Sequence, residues 1–493
     1  MTAAAAEQPD HAGKTSQRVG QVLGPLVFVL MMLAAPVQTF MEPMAWRAAA
    51  AGLWMAIWWA TEAIPVAVTA FLPLVLFAPL GLASIRDAAA PYAHPTIFLF
   101  LGGFMMALAL ERWNLHRRIA LAILQRTGTE GRRLIGGFML VCALLSMWMT
   151  NTSTTMMLLP IVISVVTVIS ENLDEVSAQQ KGSFRTALLL GLAFSASIGG
   201  LATLIGTPPN ALLVAYLADN HDLQISFARW MLVGVPVTLL MLPIAWWLLT
   251  YRLFPVNIPA SAAVQRHLQD MRVEQGAITV PEKRVAIVFG LLVAGWMLRR
   301  PLQVWFDLEN LSDTSIAMLA AITLFLVPSG HQSQKALMRW EDTSRLPWGV
   351  LILFGGGLSL AAVVNASGLA LWLGESLAPL NAIGVGVLLL AAVAMTIFLT
   401  ELTSNLATTA TLLPVMGAIA LQAGLPPLLL TVPVTIAASC AFMLPVATAP
   451  NAIVFSTGMI QIGQMVRAGI WLNLLAIAIV WVIGLFVAPS LLG

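Results

Sequence analysis

The stretch Trp-Met-Thr-Asn-Thr-Ser-Thr-Thr at positions 148–155 has a related copy, Glu-Leu-Thr-Ser-Asn-Leu-Ala-Thr-Thr, at positions 401–409. The Asn of each copy, Asn151 or Asn405, precedes a Pro by nine positions, and about half of the 493-residue chain separates the two copies. Each copy interrupts a long apolar run with small hydroxyl and amide side chains. In lipid, a paired polar interruption of this kind indicates a solute site between two repeats.

Composition places the chain in a membrane. Hydrophobic residues make up 59% of the sequence and charged residues 9%, whereas a soluble domain carries roughly 25% charged residues. The net charge of +2 is too small to indicate a nucleic-acid partner. Cys142 and Cys440 both lie in apolar runs, which favours buried thiols over a disulfide. The predicted fold is an all-α polytopic membrane protein.

About eleven transmembrane helices and two re-entrant hairpins are predicted from apolar windows of about 20 residues. With a cytoplasmic N-terminus in the inner (plasma) membrane, nineteen of the 24 basic residues fall on the cytoplasmic side. The predicted spans lie near 21–40, 48–66, 67–85, 96–110, 186–219, 228–251, 285–298, 313–328, 347–365, 427–460 and 468–490, and the hairpins at 134–170 and 384–420.

The hairpin prediction rests on length. Residues 134–149 and 156–169 are each about fifteen residues, or roughly 22 Å of helix, which is short of a full span. The second hairpin repeats the pattern and enters from the opposite side, as inverted repeats require. The predicted organisation is a disordered cytoplasmic segment 1–20, a first repeat made of segments 21–133 and 134–252, a cytoplasmic loop 253–284, and a second repeat made of segments 285–383 and 384–490.

A second pair of irregular segments supports the repeat. Gly199-Gly200 leads to Gly206-Thr207-Pro208-Pro209 in one long apolar run, and Ala447-Thr448-Ala449-Pro450 interrupts another. Because Pro removes a backbone donor and Gly loosens a helix, each run is expected to break there and expose helix ends. Unwound carbonyls can coordinate cations, and helix N-termini can face anions.

The polar clusters can hold an anion if cations accompany it. No Lys or Arg lies in either hairpin or near either broken helix in the sequence, so a dianion there has no fixed cationic partner. Desolvating a dianion is expensive, and cations bound beside it would lower that cost. Hydroxyl, amide and carbonyl oxygens suit sodium, whereas thiol and imidazole ligands, which suit zinc or copper, are not clustered.

The segment Trp59-Ala60-Thr61-Glu62-Ala63-Ile64-Pro65 completes a specific set of motifs. Together with the two Asn-containing tips, it makes the chain resemble the divalent anion:sodium symporter (DASS) family from about Trp58 to Gly458. The resemblance implies a homodimer in which a transport unit, segments 134–252 and 384–490, slides past a fixed scaffold, segments 21–133 and 285–383, in an elevator motion. It also implies di- or tricarboxylate or sulfate cargo carried with sodium, and we expect a C4-dicarboxylate such as succinate, malate or fumarate.

The resemblance further implies which residues bind each ion. Thr150 stands where the family has Ser, and this exchange keeps a hydroxyl. Leu406 stands where the family has Thr, and this exchange loses the hydroxyl, so Leu406 is left out of the site. The expected ligands are Ser146, Thr150, Asn151 and the Gly199 carbonyl for one sodium, Thr400, Thr403, Asn405 and the Ala447 carbonyl for the other, and Asn151, Thr152, Ser404, Asn405 and Thr448 for the cargo.

Two acids, Glu62 and Glu401, are predicted to lie deepest in apolar surroundings. An intramembrane carboxylate is a functional candidate, but Glu401 adjoins a tip, and bracing that tip through backbone donors is favoured over proton coupling. His94, which precedes Pro95, is predicted to cap a helix.

Other function classes fit less well. An enzyme would need an activated nucleophile, and Ser153 and Ser404 have no nearby His or Lys in the sequence. A channel would favour a continuous polar pore, and a primary pump would need a phosphate-binding loop, which is absent from the sequence. A sodium-independent dicarboxylate exchanger and a sulfate transporter stay open as alternatives to sodium-coupled dicarboxylate transport.

Overall fold

The computed structural model describes residues 11–172, 176–331, 334–377, 384–487 and 490, and these form a helical membrane protein, as predicted. Eight of the described helices are long and apolar enough to cross a membrane, or nine if the pair Val280–Met297 and Arg299–Phe306, bent by 78°, is counted as one span. Four shorter apolar helices accompany them. The number of spans and their arrangement as an inverted repeat stay predictions.

Helices account for nearly all regular structure described in the first half of the chain. They are α1 His11–Ala34, α2 Pro43–Thr61, α3 Val66–Thr69, α4 Leu72–Leu76, α5 Ile85–Ala89, a 3₁₀ helix Ala90–Ala93, α6 Pro95–Arg112, α7 Leu115–Thr127, α8 Gly131–Ser146, α9 Asn151–Asn172, α10 Ala178–Gly200, α11 Pro208–His221 and α12 Phe227–Trp247.

The second half adds one small antiparallel hairpin to the helices. Its elements are a π-helical turn Leu248–Leu253, α13 Ala262–Gln275, α14 Val280–Met297, α15 Arg299–Phe306, α16 Asp313–Leu326, β1 Pro328–His331, β2 Gln334–Ala336, a 3₁₀ helix Trp340–Arg345, α17 Trp348–Ala366, α18 Leu369–Leu377, α19 Val385–Thr400, α20 Asn405–Gln422, α21 Leu428–Ala438, α22 Ala449–Phe455 and α23 Ile462–Phe486.

Three predicted segments differ from the structure. The predicted disordered segment 1–20 is helical from residue 11 onward, and residues 1–10 lie outside the described residues. The predicted span 67–85 is broken into the short helices α3 and α4, because Pro73 and Pro79 remove backbone donors and Gly81 adopts a φ of +69°. The predicted loop 253–284 contains α13, which packs against α7 and α9.

The helices after the two tips are longer than the sequence suggested. Helix α9 has 22 residues, roughly 33 Å, and α20 has 18 residues, roughly 27 Å. The hydroxyl of Thr155 donates to the Asn151 carbonyl and that of Thr409 to the Asn405 carbonyl, each over 2.8 Å. Because these hydroxyls bond within the helix, α9 and α20 can begin at Asn151 and Asn405. Each tip still separates two helices, α8 from α9 and α19 from α20.

Both predicted helix breaks are present. Helix α10 ends at Gly200 and α11 begins at Pro208, while α21 ends at Ala438 and α22 begins at Ala449. A Cβ at Gly206 would lie 2.4 Å from the Gly200 carbonyl oxygen, so the first unwound segment closes on itself in a way that only glycine allows. The breaks therefore bring unwound backbone into the interior, where it faces the tips.

Candidate anion and cation site

A cavity of about 730 Å³ lies where the two tips and the two helix breaks meet. Both tip asparagines, Asn151 and Asn405, line it. The first break contributes Thr207 and the second contributes Thr448. The structure thus brings together polar segments that are far apart in the sequence. The predicted cargo ligands Asn151, Thr152, Ser404, Asn405 and Thr448 all line this cavity.

At the first tip, a compact group of polar atoms surrounds the Asn151 side chain. One atom of its amide lies 2.6 Å from the Ser146 hydroxyl, 3.1 Å from the Ala196 carbonyl oxygen and 3.3 Å from the Gly206 carbonyl oxygen. The Ser146 hydroxyl is also 2.7 Å from the Ala196 oxygen. As a nitrogen, the amide atom would donate to these carbonyls; as an oxygen, it completes an all-oxygen cluster of the kind that holds an alkali cation.

The second tip repeats this arrangement with one substitution. The Thr400 hydroxyl lies 2.8 Å from Oδ1 of Asn405 and 2.8 Å from the Ala438 carbonyl oxygen. Thr400 thus stands where Ser146 stands in the first tip, and the Ala438 carbonyl replaces that of Ala196. One hydroxyl proton serves two acceptor oxygens here, so the three oxygens retain lone pairs that a cation can use.

The remaining predicted sodium ligands have other partners in this structure. Thr150 caps α9, with its hydroxyl accepting from the Ser153 backbone N–H at 3.1 Å. The Thr403 hydroxyl donates to the Leu399 carbonyl at 2.9 Å, and the Gly199 carbonyl accepts from the Ala202 N–H at 3.1 Å. Thr150 lines the cavity, as does Ala447, whose carbonyl was the expected ligand.

Helix N-termini give the cavity a positive partial charge. Helices α9, α11 and α20, of 22, 14 and 18 residues, all begin at residues that line it. Short α22 begins there too, with the Thr448 hydroxyl accepting from the Asn451 N–H at 3.3 Å. Each N-terminus carries about half a positive charge. In α9 and α20 it also presents backbone N–H groups, whereas α11 begins with Pro208 and Pro209, which have none. Converging helix starts of this kind favour a bound anion.

The two breaks also touch each other. The hydroxyls of Thr207 and Ser439 lie 3.4 Å apart. Within each break, an Asn reaches back across the unwound backbone: the Asn210 amide donates to the Thr203 carbonyl at 2.8 Å, and the Asn451 amide donates to the Leu444 carbonyl at 3.0 Å. Both Asn side chains are fully buried. These contacts fix the shape of the cavity floor, and the sequence analysis did not identify them.

Glu401 accepts hydrogen bonds from backbone donors, as predicted, but these donors belong to the second break and not to the tip that Glu401 adjoins. Its side chain is only 3% exposed. One carboxylate oxygen accepts from the backbone N–H groups of Phe442 and Met443 at 2.7 and 2.9 Å and from the Asn473 amide at 2.7 Å, and the other accepts from the Leu444 N–H at 3.0 Å. All four partners are N–H donors, so both carboxylate oxygens are paired.

Glu62 is exposed, contrary to the prediction that it is buried. Helix α2 ends at Thr61, since the chain must leave the helical conformation before Pro65, and Glu62 occupies the left-handed C-cap with a φ of 46°. Its side chain lines the cavity. The prediction for His94 is confirmed, because its ring accepts from the Thr96 N–H at 3.2 Å at the start of α6.

The cavity also has a basic residue that sequence proximity did not reveal. Arg345 lines it and forms an ion pair with Glu111, which lines it as well. The two residues are far apart in the chain, at the end of the 3₁₀ helix before α17 and near the end of α6. The inference that no basic side chain lies near the site is therefore wrong for the cavity rim, although both tips and both breaks hold none.

Comparison with known families gives a match along nearly the whole chain. A family model described as the sodium:sulfate symporter transmembrane region matches residues 16–492. The sodium-dependent dicarboxylate transporter SdcS of Staphylococcus saprophyticus is 40% identical over 481 residues, covering 97% of this chain and 92% of the relative. SdcS of Staphylococcus aureus is 39% identical over 497 residues, covering 99% of this chain and 94% of the relative.

Solved structures of membrane transporters share the fold. MtrF of Neisseria gonorrhoeae, described among antimetabolite efflux pumps, superposes with a TM-score of 0.55 at 12% identity, covering 98% of each chain. The YdaH transporter of Alcanivorax borkumensis superposes with a TM-score of 0.55 at 14% identity, covering 84% of this chain and 89% of its own. At these identities the similarity concerns the fold alone.

Proposed function

Because the chain belongs to the divalent anion:sodium symporter family, we propose that it carries a C4-dicarboxylate, such as succinate, malate or fumarate, across the membrane together with sodium. Membership rests on the family match over residues 16–492 and on relatives about 40% identical along nearly the whole chain. Those relatives are named sodium-dependent dicarboxylate transporters. The protein is a transporter and not an enzyme.

One observation carries the proposal: a single cavity joins two matched groups of oxygens to several helix N-termini. Asn151 and Asn405 each belong to one group and also line the cavity. Each amide can therefore contact a cation on one side and a carboxylate on the other. A dianion between them meets the partial positive charge of the helix starts and the full charge of two sodium ions.

The first sodium is assigned to Ser146, Thr150, Asn151 and the Gly199 carbonyl. The nearness of the Ala196 and Gly206 carbonyls to the Asn151 amide supports a cation here, and both are candidates for additional ligands. The second sodium is assigned by the same reasoning, with the Ala438 carbonyl as an additional candidate. Its ligands are Thr400, Thr403, Asn405 and the Ala447 carbonyl.

The proposed cargo contacts are made by neutral side chains. Asn151 and Thr152 face one carboxylate, and Ser404, Asn405 and Thr448 face the other. The Ser404 hydroxyl makes no capping bond at the start of α20, which leaves it available to a ligand. Leu406 is 5% exposed and lines the same cavity, so it offers an apolar surface to the carbon chain of the cargo.

Transport is proposed to follow an elevator motion in a homodimer. Segments 134–252 and 384–490 form the moving units of an inverted repeat, and segments 21–133 and 285–383 form the scaffold, with the N-terminus in the cytoplasm. Single cysteines at Thr152 and Ser404 test this motion. Their labelling by a membrane-impermeant thiol reagent should change when succinate and sodium are added, and labelling indifferent to both would count against alternating access.

Cargo and coupling are tested by one competition assay. Uptake of labelled succinate into proteoliposomes is measured with and without an inward sodium gradient, against unlabelled malate, fumarate, citrate, sulfate or glutamate. Sodium-driven uptake inhibited by malate and fumarate is the expected result. Sulfate is a second candidate because the family model is described by a sulfate symporter, and strong inhibition by sulfate would favour it. Uptake that depends only on internal dicarboxylate would identify an exchanger.

A further inference from the structure

The cavity rim, defined here by the charged residues Glu62, Glu111 and Arg345, carries charges that the tips and breaks lack. These three are the charged residues among the described ones that line the cavity. All three lie outside the tips and the breaks. Two acids against one base make this rim unfavourable to an approaching dianion, unless Arg345 offsets them.

Arg345 is accessible, whereas its partner is mostly covered. The Arg345 side chain is 57% exposed and that of Glu111 is 21% exposed. The neighbouring basic residues Arg112 and Arg339 both pair with Asp342, from which the Arg339 nitrogen is 3.7 Å, and neither lines the cavity. Arg345 is thus the basic group of this cluster that a solute in the cavity mouth can reach.

We propose that Arg345 is a transient carboxylate-binding residue at the mouth of the cavity, and that Glu111 keeps this binding weak by competing as an internal carboxylate. A guanidinium accepts one carboxylate in place of another with the same paired geometry, so the cargo can exchange with Glu111. This inference rests on the anion transport proposed above. It concerns the approach to the site and leaves the neutral ligands of the bound cargo unchanged.

Competition by Glu111 makes the cargo dissociate from Arg345 more readily. A free arginine at the mouth would hold a dianion tightly and slow its departure. An internal carboxylate lowers the free energy gained by the exchange, because each new ion pair replaces an existing one. Arg345 therefore raises the local concentration of cargo, while Glu111 allows the cargo to leave. Both effects act on the side of the membrane where Arg345 and Glu111 lie. The charge distribution of the sequence predicts that this is the cytoplasmic side.

The test compares KM with the maximal rate. Sodium-driven uptake of labelled succinate is measured in inverted membrane vesicles, whose outer face is the cytoplasmic face. Arg345→Gln should raise KM about two- to fivefold with little change in maximal rate, as expected for the loss of one exposed ion pair. Glu111→Gln should lower KM and also lower the maximal rate, because the freed arginine retains the cargo. Arg339→Gln, which removes the same charge nearby, should leave both values unchanged.

Further variants and conditions distinguish an effect of the Arg345 charge from an effect on folding. Arg345→Lys keeps the charge and should recover part of the KM change, and added choline chloride should narrow the gap between wild type and Arg345→Gln. An unchanged KM in Arg345→Gln, or an equal change in Arg339→Gln, would overturn the inference while wild-type uptake still supports transport. If Arg345→Gln does not fold, Glu111→Gln decides: a lower KM supports the inference and an unchanged KM overturns it. A wild type without sodium-driven uptake would overturn both proposals.

Discussion

The buried carboxylate of Glu401 allows the bracing of the second break to be tested by magnitude. It accepts four N–H groups, from the backbone of Phe442, Met443 and Leu444 and from the side chain of Asn473. Glu401→Ala leaves all four donors buried without an acceptor. At about 1–3 kcal/mol each, the upper bound is about 4–12 kcal/mol, which approaches the whole stability of about 5–15 kcal/mol of a typical protein.

Glu401→Gln is a milder change, because its remaining oxygen can keep the three donors that share one carboxylate oxygen. Only the N–H of Leu444 then faces an amide NH₂, and the expected loss is about 1–3 kcal/mol. Thermal unfolding of the detergent-solubilised protein, followed by gel filtration, measures both variants. We expect Glu401→Ala to be lost during purification or strongly destabilised. Glu401→Gln should unfold at a temperature several degrees below that of the wild type. Glu375→Gln, at an exposed acid, is the control. If Glu401→Gln unfolds at the wild-type temperature, the inference that Glu401 braces the second break is wrong.

Two further substitutions test the cation groups. Thr400→Val removes the hydroxyl that joins Asn405 to the Ala438 carbonyl, so the sodium concentration for half-maximal uptake should rise about tenfold. The control is Thr396→Val, one turn earlier in α19, whose hydroxyl bonds only within its helix, and it should behave as wild type. Equal effects of the two substitutions would contradict the assignment of Thr400. Gly200→Ala places a Cβ 2.6 Å from the Asn151 amide oxygen and should abolish uptake. The control Gly290→Ala places a Cβ with nothing within 4 Å and should leave uptake unchanged. Uptake that survives in Gly200→Ala would count against the cation group around Asn151.

Local chemistry made much of the fold predictable. The spacing of Asn151 and Asn405 to their prolines identified both tips, because a single Ser/Thr cluster is common in membrane helices whereas a matched pair is not. Pro208 and Pro450 identified both breaks, because proline cannot continue the hydrogen-bonded ladder. The length argument for the hairpins was weaker, since the hydroxyl of Thr155 bonds its own helix and lets α9 start at the tip.

Contacts between distant segments were not predictable. Which carbonyl faces Asn151 depends on the rotation of α10 against the first tip, so the approach of the Ala196 carbonyl could not be read from the sequence. The pairing of Arg345 with Glu111 joins residues 234 positions apart, and neither belongs to a recognisable motif. Glu62 was misplaced because its position depends on where α2 ends, one residue before the cap.

The central claim is that neutral amides and hydroxyls, together with sodium, hold the dianion between the two tips. Sodium-driven uptake of labelled succinate in proteoliposomes containing Asn151→Ala or Asn405→Ala tests it most directly, with the amount of protein and its gel-filtration profile measured in parallel. Loss of uptake in both variants, with wild-type folding, is the predicted result. Uptake at the wild-type rate in either variant would contradict the claim.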